Sequence, residues 1–228
     1  MSKVDGTAAP FEQRLNWSAR ALDRAEILQS LSKGRSDIEL VNPHFEPPVP
    51  NSKKGSAGRS SVAIVIVDQA EPAILVTKRS VRIRFGGQFC FPGGREAPED
   101  DSLRHTALRE TFEEINVSPE ALTFLGCLGT YFSQAGYLIE PNVFLASADL
   151  SYRADPQEVA EIVAVPLSAL QNKANYHLLG RGSGRANFQF RWSGLQIGGP
   201  TVSLIIHLMH SLSGVSNPHD RNSWRDRS

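Results

Sequence analysis

The sequence predicts an α/β fold in which a mixed β-sheet lies between helices. Short β-branched and apolar runs recur between residues 61 and 192, and segments with helical spacing of apolar residues precede, interrupt and follow them. With 228 residues, 40% of them hydrophobic and 21% charged, the chain is long enough to bury one sizeable core. We therefore expect one domain over residues 59–215, an N-terminal helix and flexible connector over 1–58, and a polar tail over 216–228.

The N-terminal segment is predicted to form an amphipathic helix over residues 11–31. Apolar residues that include Phe11, Leu15, Leu22 and Leu31 recur at helical spacing, with Arg, Glu and Gln between them. The mixed charges favour packing of this helix on its own domain over binding to a membrane surface or a partner. Residues 42–58, rich in Pro, Gly, Ser and Lys, are typical of an extended connector.

Strands follow in order along the chain. Residues 61–67 and 73–79, joined by a turn at 68–72, predict a β-hairpin. Further strands are expected at 122–131, 138–148, 159–165 and 188–192. The apolar segment 201–212 predicts a helix with Thr201 as a candidate cap and Gly214 beyond its end, and the tail is expected to be disordered.

The charge balance argues against several classes of partner. The 24 Lys and Arg residues match the 24 Asp and Glu residues, so the chain has no general attraction to nucleic acid or to an anionic membrane. Cys90 and Cys127 are too few for a disulfide framework, which favours a reducing compartment. We expect a cytoplasmic location, since no membrane span, signal peptide, or mitochondrial or peroxisomal address is evident. The oligomeric state is left open.

One stretch joins a Gly-Gly turn, an acidic loop and a helix with three glutamates. Gly93 and Gly94 permit close backbone approach and positive φ. Glu110, Glu113 and Glu114 lie within an arc of about 100° on one helix face. Their like charges repel one another, and Mg²⁺ or Mn²⁺ is the natural counter-ion for such oxygen ligands. For the glutamate spacing alone, the simpler interpretation is a solvated acidic face.

The spacing of residues over the whole segment from Gly94 to Val117 is much more specific than the glutamate spacing alone. The whole segment resembles the Nudix box, Gly-x5-Glu-x7-Arg-Glu-U-x-Glu-Glu-x-Gly-U with U apolar, and reads Gly94-x6-Asp101-x7-Arg109-Glu110-Thr111-x-Glu113-Glu114-x-Asn116-Val117. The loop is one residue longer than in the box, Thr111 takes an apolar position, and Asn116 replaces the closing Gly. Asn tolerates the left-handed conformation common beyond a helix end. Asp101 replaces a Glu and is a good N-cap for a helix that begins at Ser102.

The resemblance implies an α/β/α sandwich and a hydrolase of nucleoside diphosphates linked to another group. Divalent metal, Mg²⁺ or Mn²⁺, would be held by Glu110, Glu113 and Glu114. The candidate catalytic residues are Glu110, Glu114 and Arg109, with the general base either a helix glutamate or a glutamate from a later loop. We expect Arg109 to turn about 100° away from the glutamates and to brace a loop or a neighbouring acid without touching substrate.

Neighbouring segments resemble the coenzyme A diphosphatase branch of this family. Residues 75–80, 84–88 and 91–94 are similar to its Leu-Leu-Thr-x-Arg-Ser, Arg-x3-Gly and Phe-Pro-Gly-Gly signature, although the middle spacing is one residue short and Phe85-Gly86 replaces a polar and a small residue. Residues 158–167 resemble its Glu-Val-Ala-Glu and Val-Pro-Leu segments. The resemblance implies cleavage of coenzyme A and its acyl derivatives to adenosine 3′,5′-bisphosphate and 4′-phosphopantetheine.

A coenzyme A site needs cations for the 3′-phosphate in addition to the diphosphate. The expected substrate contacts are Lys78, Arg79, Arg82, Arg84, Gly93 and Gly94. A solvated strand edge is the competing interpretation of the basic residues. The alternative functions are hydrolysis of ADP-ribose or dinucleotides, and nucleotide binding without turnover. In each case the expected partner is a small nucleotide, not nucleic acid or a membrane.

Overall fold

The computed structural model describes residues 14–31, 38–46, 49–180 and 185–214. The helices are α1 (Arg24–Leu31), α2 (Asn51–Lys54), α3 (Leu103–Ile115), α4 (Leu167–Gln171) and α5 (Gly199–Ser213). The strands are β1 (Glu39–Leu40), β2 (Gly58–Asp68), β3 (Ala73–Arg79), β4 (Phe89–Cys90), β5 (Gly93–Arg95), β6 (Thr123–Cys127), β7 (Thr130–Phe132), β8 (Tyr137–Ser147), β9 (Val159–Pro166), β10 (Tyr176–Gly180), β11 (Ala186–Trp192) and β12 (Leu195–Ile197). The predicted disordered tail lies outside the described residues.

Nine of the described strands form one mixed sheet. Their order is β1-β7-β8-β2-β3-β4, with β5 beside β2, β6 beside β8 and β9 beside β3. Strands β2 and β8 run parallel from Gly58↔Tyr137 to Asp68↔Ser147, whereas β2 and β3 form the predicted antiparallel hairpin. Strands β10, β11 and β12 form a separate antiparallel sheet.

Side chains of β2 alternate between two hydrophobic cores. Ala63 and Val65 join the core under α3, and Ile64 and Ile66 join the larger core that α5 and α1 cover from the other side. The sheet therefore lies between helical layers. The predicted α/β/α sandwich with a mixed sheet is confirmed.

The N-terminal segment differs from its prediction. Residues 16–23 are not helical and α1 begins only at Arg24, so one helix over 11–31 is wrong for the described part. The irregular stretch buries Trp17, whose Nε1 donates a hydrogen bond of 2.9 Å to the Gln171 carbonyl. Long-range burial of this ring outweighs the helical periodicity. Packing on the domain itself is confirmed, since Leu15 and Ile27 lie in the larger core.

The connector over residues 42–58 is bonded to the rest of the domain. Phe45 forms an isolated β-bridge with Ala186, and the Phe188 N–H donates to His44 Nδ1 at 2.9 Å. Residues 51–54 form the short helix α2, and β2 already begins at residue 58. The expectation of an extended connector is therefore wrong at residues 51–54, which are helical.

Most predicted strands lie close to their expected places, and β3 matches residues 73–79. The run at 122–131 divides into β6 and β7 because Gly129 has a φ of +128°, and a Cβ there would lie 2.5 Å from the Ile38 carbonyl oxygen. Elements α4, β10 and β12 were not predicted. Helix α5 is capped by Gly198, so the predicted cap Thr201 is wrong, whereas Gly214 ends the helix in the left-handed conformation.

Within the described ranges, every helix is too short or too polar to cross a lipid bilayer.

Candidate active site

Helix α3 carries its three glutamates at different depths. The side chain of Glu114 is 3% exposed, that of Glu110 15% and that of Glu113 52%. Glu114 shares the buried side of the helix with Ala107 and Ile115, which pack on the sheet. The predicted negative face is thus a gradient from a buried carboxylate to an exposed one.

The ends of α3 explain the departures from the expected motif. The Ser102 hydroxyl accepts the His105 N–H at 3.1 Å and caps the helix, so the predicted cap Asp101 is wrong. Asn116 has φ 55° and ψ 36°, as expected for the residue that closes the helix. The buried Thr111 hydroxyl donates to the Ala107 carbonyl at 2.6 Å, which satisfies a polar group at an apolar position.

Asp100, for which no role was predicted, ties the acidic loop to α3. Its carboxyl group is fully buried and accepts hydrogen bonds from Arg109 Nε and Nη2, both at 3.0 Å. The Thr106 hydroxyl and the Ala97 N–H each donate to it at 2.9 Å. The Arg109 guanidinium holds the pKa of Asp100 well below its usual range. The acid that pairs with the motif arginine is therefore Asp100 and not the exposed Asp101. The box spacing Gly-x5-Glu, counted from Gly94 with five residues between, falls on Asp100 and would have found it.

Arg109 connects this loop to the glutamates. Its Nη1 donates to Glu110 Oε1 at 2.9 Å and to Glu113 Oε2 at 3.0 Å, and Nη2 donates to the Arg95 carbonyl at 3.1 Å. The expectation that Arg109 turns away from the glutamates is wrong, because its long side chain reaches back across one helical turn. The expected bracing of a loop and a neighbouring acid is confirmed. Arg109 is a positioning residue.

Two glycines let the backbone pass directly beneath the glutamates. Gly93 has a φ of +154°, and a Cβ there would lie 2.3 Å from the Ser61 carbonyl oxygen. At Gly94 a Cβ would lie 2.3 Å from Glu110 Oε1. The Gly93 backbone also hydrogen-bonds the Glu114 carboxylate. Positive φ is thus required at the first glycine and close approach at the second.

The Glu114 carboxylate is buried with an incomplete set of partners. Arg79 Nη1 lies 3.9 Å from Oε1, and Oε2 has no hydrogen-bond partner among the described residues. Burial raises the pKa of Glu114 to about 8; Arg79 lowers it, whereas the charges of Glu110 and Glu158 raise it further. Burial also raises the pKa of Glu110, against the effect of Arg109. A buried acceptor without a partner lowers the stability of the fold. We therefore expect this carboxyl group to be either protonated or paired with a cation.

Glu158 stands at the start of β9, beside the helix glutamates. The loop that leads to it is fixed to α3, because the Asp155 N–H donates to the Glu114 carbonyl at 2.9 Å. The Ser80 N–H donates to the Glu158 carbonyl at 2.7 Å. Its charge raises the pKa of both Glu110 and Glu114. A glutamate from a later loop was one of the two alternatives for the general base, the other being a helix glutamate, and Glu158 lies in such a loop.

The donor set fits an oxygen-preferring divalent cation. Glu110, Glu114 and Glu158 supply carboxylates, and Glu114 Oε2 offers a buried oxygen that lacks a partner. Over the described parts of the chain, no three Asp, Glu, His or Cys side chains converge closely enough to hold an ion as they stand. Arg109 draws Glu110 and Glu113 toward itself. Arg109 thus occupies one oxygen of Glu110 and one of Glu113.

The basic residues predicted to contact substrate do not form one cluster. On β3, Arg79 points toward Glu114 below α3. The neighbouring Lys78 lies opposite Glu161 on β9, with its Nζ 3.9 Å from the carboxylate and 5.5 Å from the centre of the Phe89 ring. Successive strand residues face opposite sides of a sheet. Lys78 is therefore separated from the glutamates that Arg79 faces.

Arg82 and Arg84 lie on an exposed loop over residues 80–88, between β3 and β4. Arg79 Nε donates to the Arg84 carbonyl at 3.1 Å, which links this loop to the residue that faces Glu114. The loop thus carries two exposed cations beside the glutamate site.

A cavity of ≈ 310 Å³ opens next to Arg79 and Gly93. Its walls are mostly apolar and include Val62, Phe85, Phe89, Phe91, Ile139 and Leu204. A larger hollow of ≈ 610 Å³ on the outer side of α3 touches only Glu113 of the three glutamates. The smaller cavity is better suited to hold the organic part of a substrate while its charged part meets the glutamates.

Comparison with known proteins gives a consistent set of relatives. The NUDIX domain model matches residues 58–183. Over 134 residues the chain is 39% identical to the Nudix hydrolase NudL of Photorhabdus laumondii, covering 58% of this chain and 72% of that protein. Over 185 residues it is 32% identical to NudL of Yersinia enterocolitica, covering 79% and 95%. A solved NUDIX hydrolase structure from Alicyclobacillus acidocaldarius is 18% identical with a TM-score of 0.46, covering 69% of this chain and 93% of that one. The family match contains α3 and Glu158.

Proposed function

The chain belongs to the Nudix family, whose members use divalent metal ions to hydrolyse diphosphate bonds in nucleoside diphosphate derivatives, and from this premise we propose that it cleaves coenzyme A and its acyl derivatives. The observation that most supports hydrolysis is the buried Glu114 carboxylate, with one oxygen unpartnered, beside the apolar cavity. A buried acid in this state costs stability, and such acids are concentrated at functional sites.

Each residue near Glu114 has a distinct part in this proposal. Glu110, Glu113 and Glu114 would hold Mg²⁺ or Mn²⁺ together with Glu158, which belongs to the same donor set. Such an ion would neutralise phosphate charge and would lower the pKa of a bound water. A carboxylate of this group accepts the proton of the attacking water. Arg109 sets the starting positions of Glu110 and Glu113 through its two hydrogen bonds.

Arg79 stands between the glutamates and the cavity. Its guanidinium lies 3.9 Å from Glu114 and also lines the cavity wall. A diphosphate that enters beside Gly93 meets this cation before it reaches the carboxylates. Charge-assisted hydrogen bonds from Arg79 then orient the phosphate whose bond is cleaved.

The preference for coenzyme A is supported by the loop over residues 80–88. Arg82 and Arg84 are exposed there and are available for a 3′-phosphate. Lys78, paired with Glu161, is left out of this set. The resemblance of residues 75–80, 91–94 and 158–167 to the coenzyme A diphosphatase branch points the same way.

The test is a substrate panel with Mg²⁺, in which products from coenzyme A, dephospho-coenzyme A, ADP-ribose and NADH are identified by mass. We expect kcat/KM for coenzyme A to exceed that for dephospho-coenzyme A by about tenfold, the scale of one charge-assisted contact. Arg84→Ala should lower the ratio of the two kcat/KM values, and the matched control Lys78→Ala should leave it unchanged. Excess chelator should abolish all turnover.

Other outcomes would identify the alternatives. Faster cleavage of ADP-ribose than of coenzyme A would overturn the proposed substrate and indicate an ADP-ribose or dinucleotide hydrolase. Nucleotide binding without any cleavage would indicate a non-catalytic Nudix module. Full turnover in excess chelator would contradict the metal requirement.

A further inference from the structure

Phe85 combines two unusual features on the loop over residues 80–88. Its side chain is 50% exposed although it is large and apolar, and its φ is +62°. Residues with a side chain rarely adopt a left-handed backbone, and bulky ones least of all. Such conformations persist where the surrounding structure holds them, and they concentrate at ligand-binding sites.

The surrounding loop holds this conformation firmly. The Arg79 N–H donates to the Gln88 carbonyl, and the Gly87 N–H donates to the Arg79 carbonyl, both at 2.9 Å. A Cβ at Gly86 would lie 2.6 Å from Val81 Cα, so the loop folds tightly upon itself. The hydrogen bonds and tight packing of the loop therefore hold the Phe85 ring in its exposed position.

The ring faces a site suited to a planar group. It lines the ≈ 310 Å³ cavity together with Phe89 and Phe91, and the Arg84 guanidinium lies 4.7 Å from its centre. Nucleobases stack on aromatic rings and on guanidinium planes. The cation over one face of the ring also favours a ligand that carries phosphate on the attached sugar.

We propose that Phe85 is a specificity-determining residue whose ring stacks on the purine base of the substrate at the mouth of the cavity. This rests on the proposed function in one respect, that the site accepts a nucleotide, and it does not depend on which diphosphate derivative is cleaved. The larger ring system of a purine overlaps the phenyl ring more fully than a pyrimidine does, so adenine nucleotides bind more tightly than cytosine nucleotides.

The test measures binding of AMP and CMP to the full chain in the presence of chelator, by isothermal titration calorimetry. Phe85→Leu should weaken AMP binding by about tenfold, the scale of one base–aromatic stack, whereas Phe85→Trp should retain it. Phe112, which is 51% exposed on α3 and does not line this cavity, provides the matched control. Phe112→Leu should leave AMP affinity unchanged. The same AMP affinity in wild type and Phe85→Leu, or no AMP binding by wild type, would overturn the proposal.

A second variant separates binding from folding. Glycine adopts positive φ without strain, so Phe85→Gly should raise the melting temperature by about 1–3 °C and still lose AMP affinity. A lower melting temperature in Phe85→Gly would mean that the ring supports the fold and would contradict the proposal.

Turnover distinguishes this proposal from the proposed function. With any adenine substrate that the wild type cleaves, Phe85→Leu should raise KM and leave kcat nearly unchanged, and an unchanged KM would contradict the stacking role. If coenzyme A is not cleaved but Phe85→Leu still weakens AMP binding, the proposed function fails and the stacking role stands. If coenzyme A is cleaved and AMP affinity is unaffected, the stacking role fails and the proposed function stands.

Discussion

Two buried carboxyl groups at opposite ends of α3 have contrasting surroundings. Asp100 accepts four hydrogen bonds from Arg109, Thr106 and the Ala97 backbone, and its pKa is depressed. Glu114 has one oxygen without a partner and a pKa raised to about 8. Both side chains are shielded from solvent, but burial is the largest cause of the raised pKa of Glu114, whereas the hydrogen bonds from Arg109 outweigh burial at Asp100. A saturated buried acid stabilises a fold, whereas an unsaturated one is kept for a ligand.

The largest effect expected from this contrast is on catalysis. Glu114→Gln keeps the shape of the side chain but removes the charge that a metal ion requires. We expect kcat to fall by about 10³-fold, or about 4 kcal/mol of transition-state stabilisation. The variant should fold as the wild type does, since Gln matches the shape of the side chain and the uncharged form that burial favours. Kinetics with Mg²⁺ measure the first effect and circular dichroism the second, and an unfolded Glu114→Gln protein would show that this acid is structural.

The next largest effect is on stability, and it distinguishes the adjacent acids Asp100 and Asp101. Asp100→Asn leaves Arg109 without its anionic partner and should lower the free energy of unfolding by about 2–4 kcal/mol. Asp101→Asn is the matched control, because the Asp101 side chain is exposed and does not pair with Arg109. We expect it to change the free energy of unfolding by less than about 0.5 kcal/mol. Urea denaturation followed by circular dichroism gives both values. Equal losses would contradict the assignment of Asp100 as the partner of Arg109.

Local patterns were sufficient to predict much of the fold. The β2–β3 hairpin follows from β-branched runs separated by a turn, and α3 follows from its helical periodicity and the left-handed Asn116 at its end. These signals act over a few residues, where backbone sterics dominate. They were weaker at the N-terminus, where the irregular path is set by burial of Trp17 against Gln171, 154 residues away.

The site was less predictable because it depends on tertiary geometry. Asp100 and Asp101 are both acidic, and only the fold shows which one Arg109 reaches. Lys78 and Arg79 are adjacent in sequence but face different partners across the sheet. The cavity gathers residues as distant as Val62 and Leu204. Composition and spacing identified the glutamates but could not give their depths.

The most direct test of the contrast is the pH dependence of stability in chelator, compared between wild type and Glu114→Gln. The pKa of Glu114 is raised from its usual 4.5 to about 8, so the folded wild type retains a proton that the unfolded chain has lost within this range. Its unfolding free energy should therefore fall as pH rises from about 5 to 9, by about 1–3 kcal/mol more than that of the variant. Asp100 does not contribute, since its stabilisation is lost only below its ordinary pKa of 3.8, and the buried His210 titrates in both proteins.

Addition of Mn²⁺ at pH 8 should then raise the melting temperature of the wild type and have a much smaller effect on Glu114→Gln, because an ion that binds the folded state stabilises it by mass action. Parallel pH profiles and equal shifts with Mn²⁺ in the two proteins would contradict the claim that Glu114 is the acid kept for the metal.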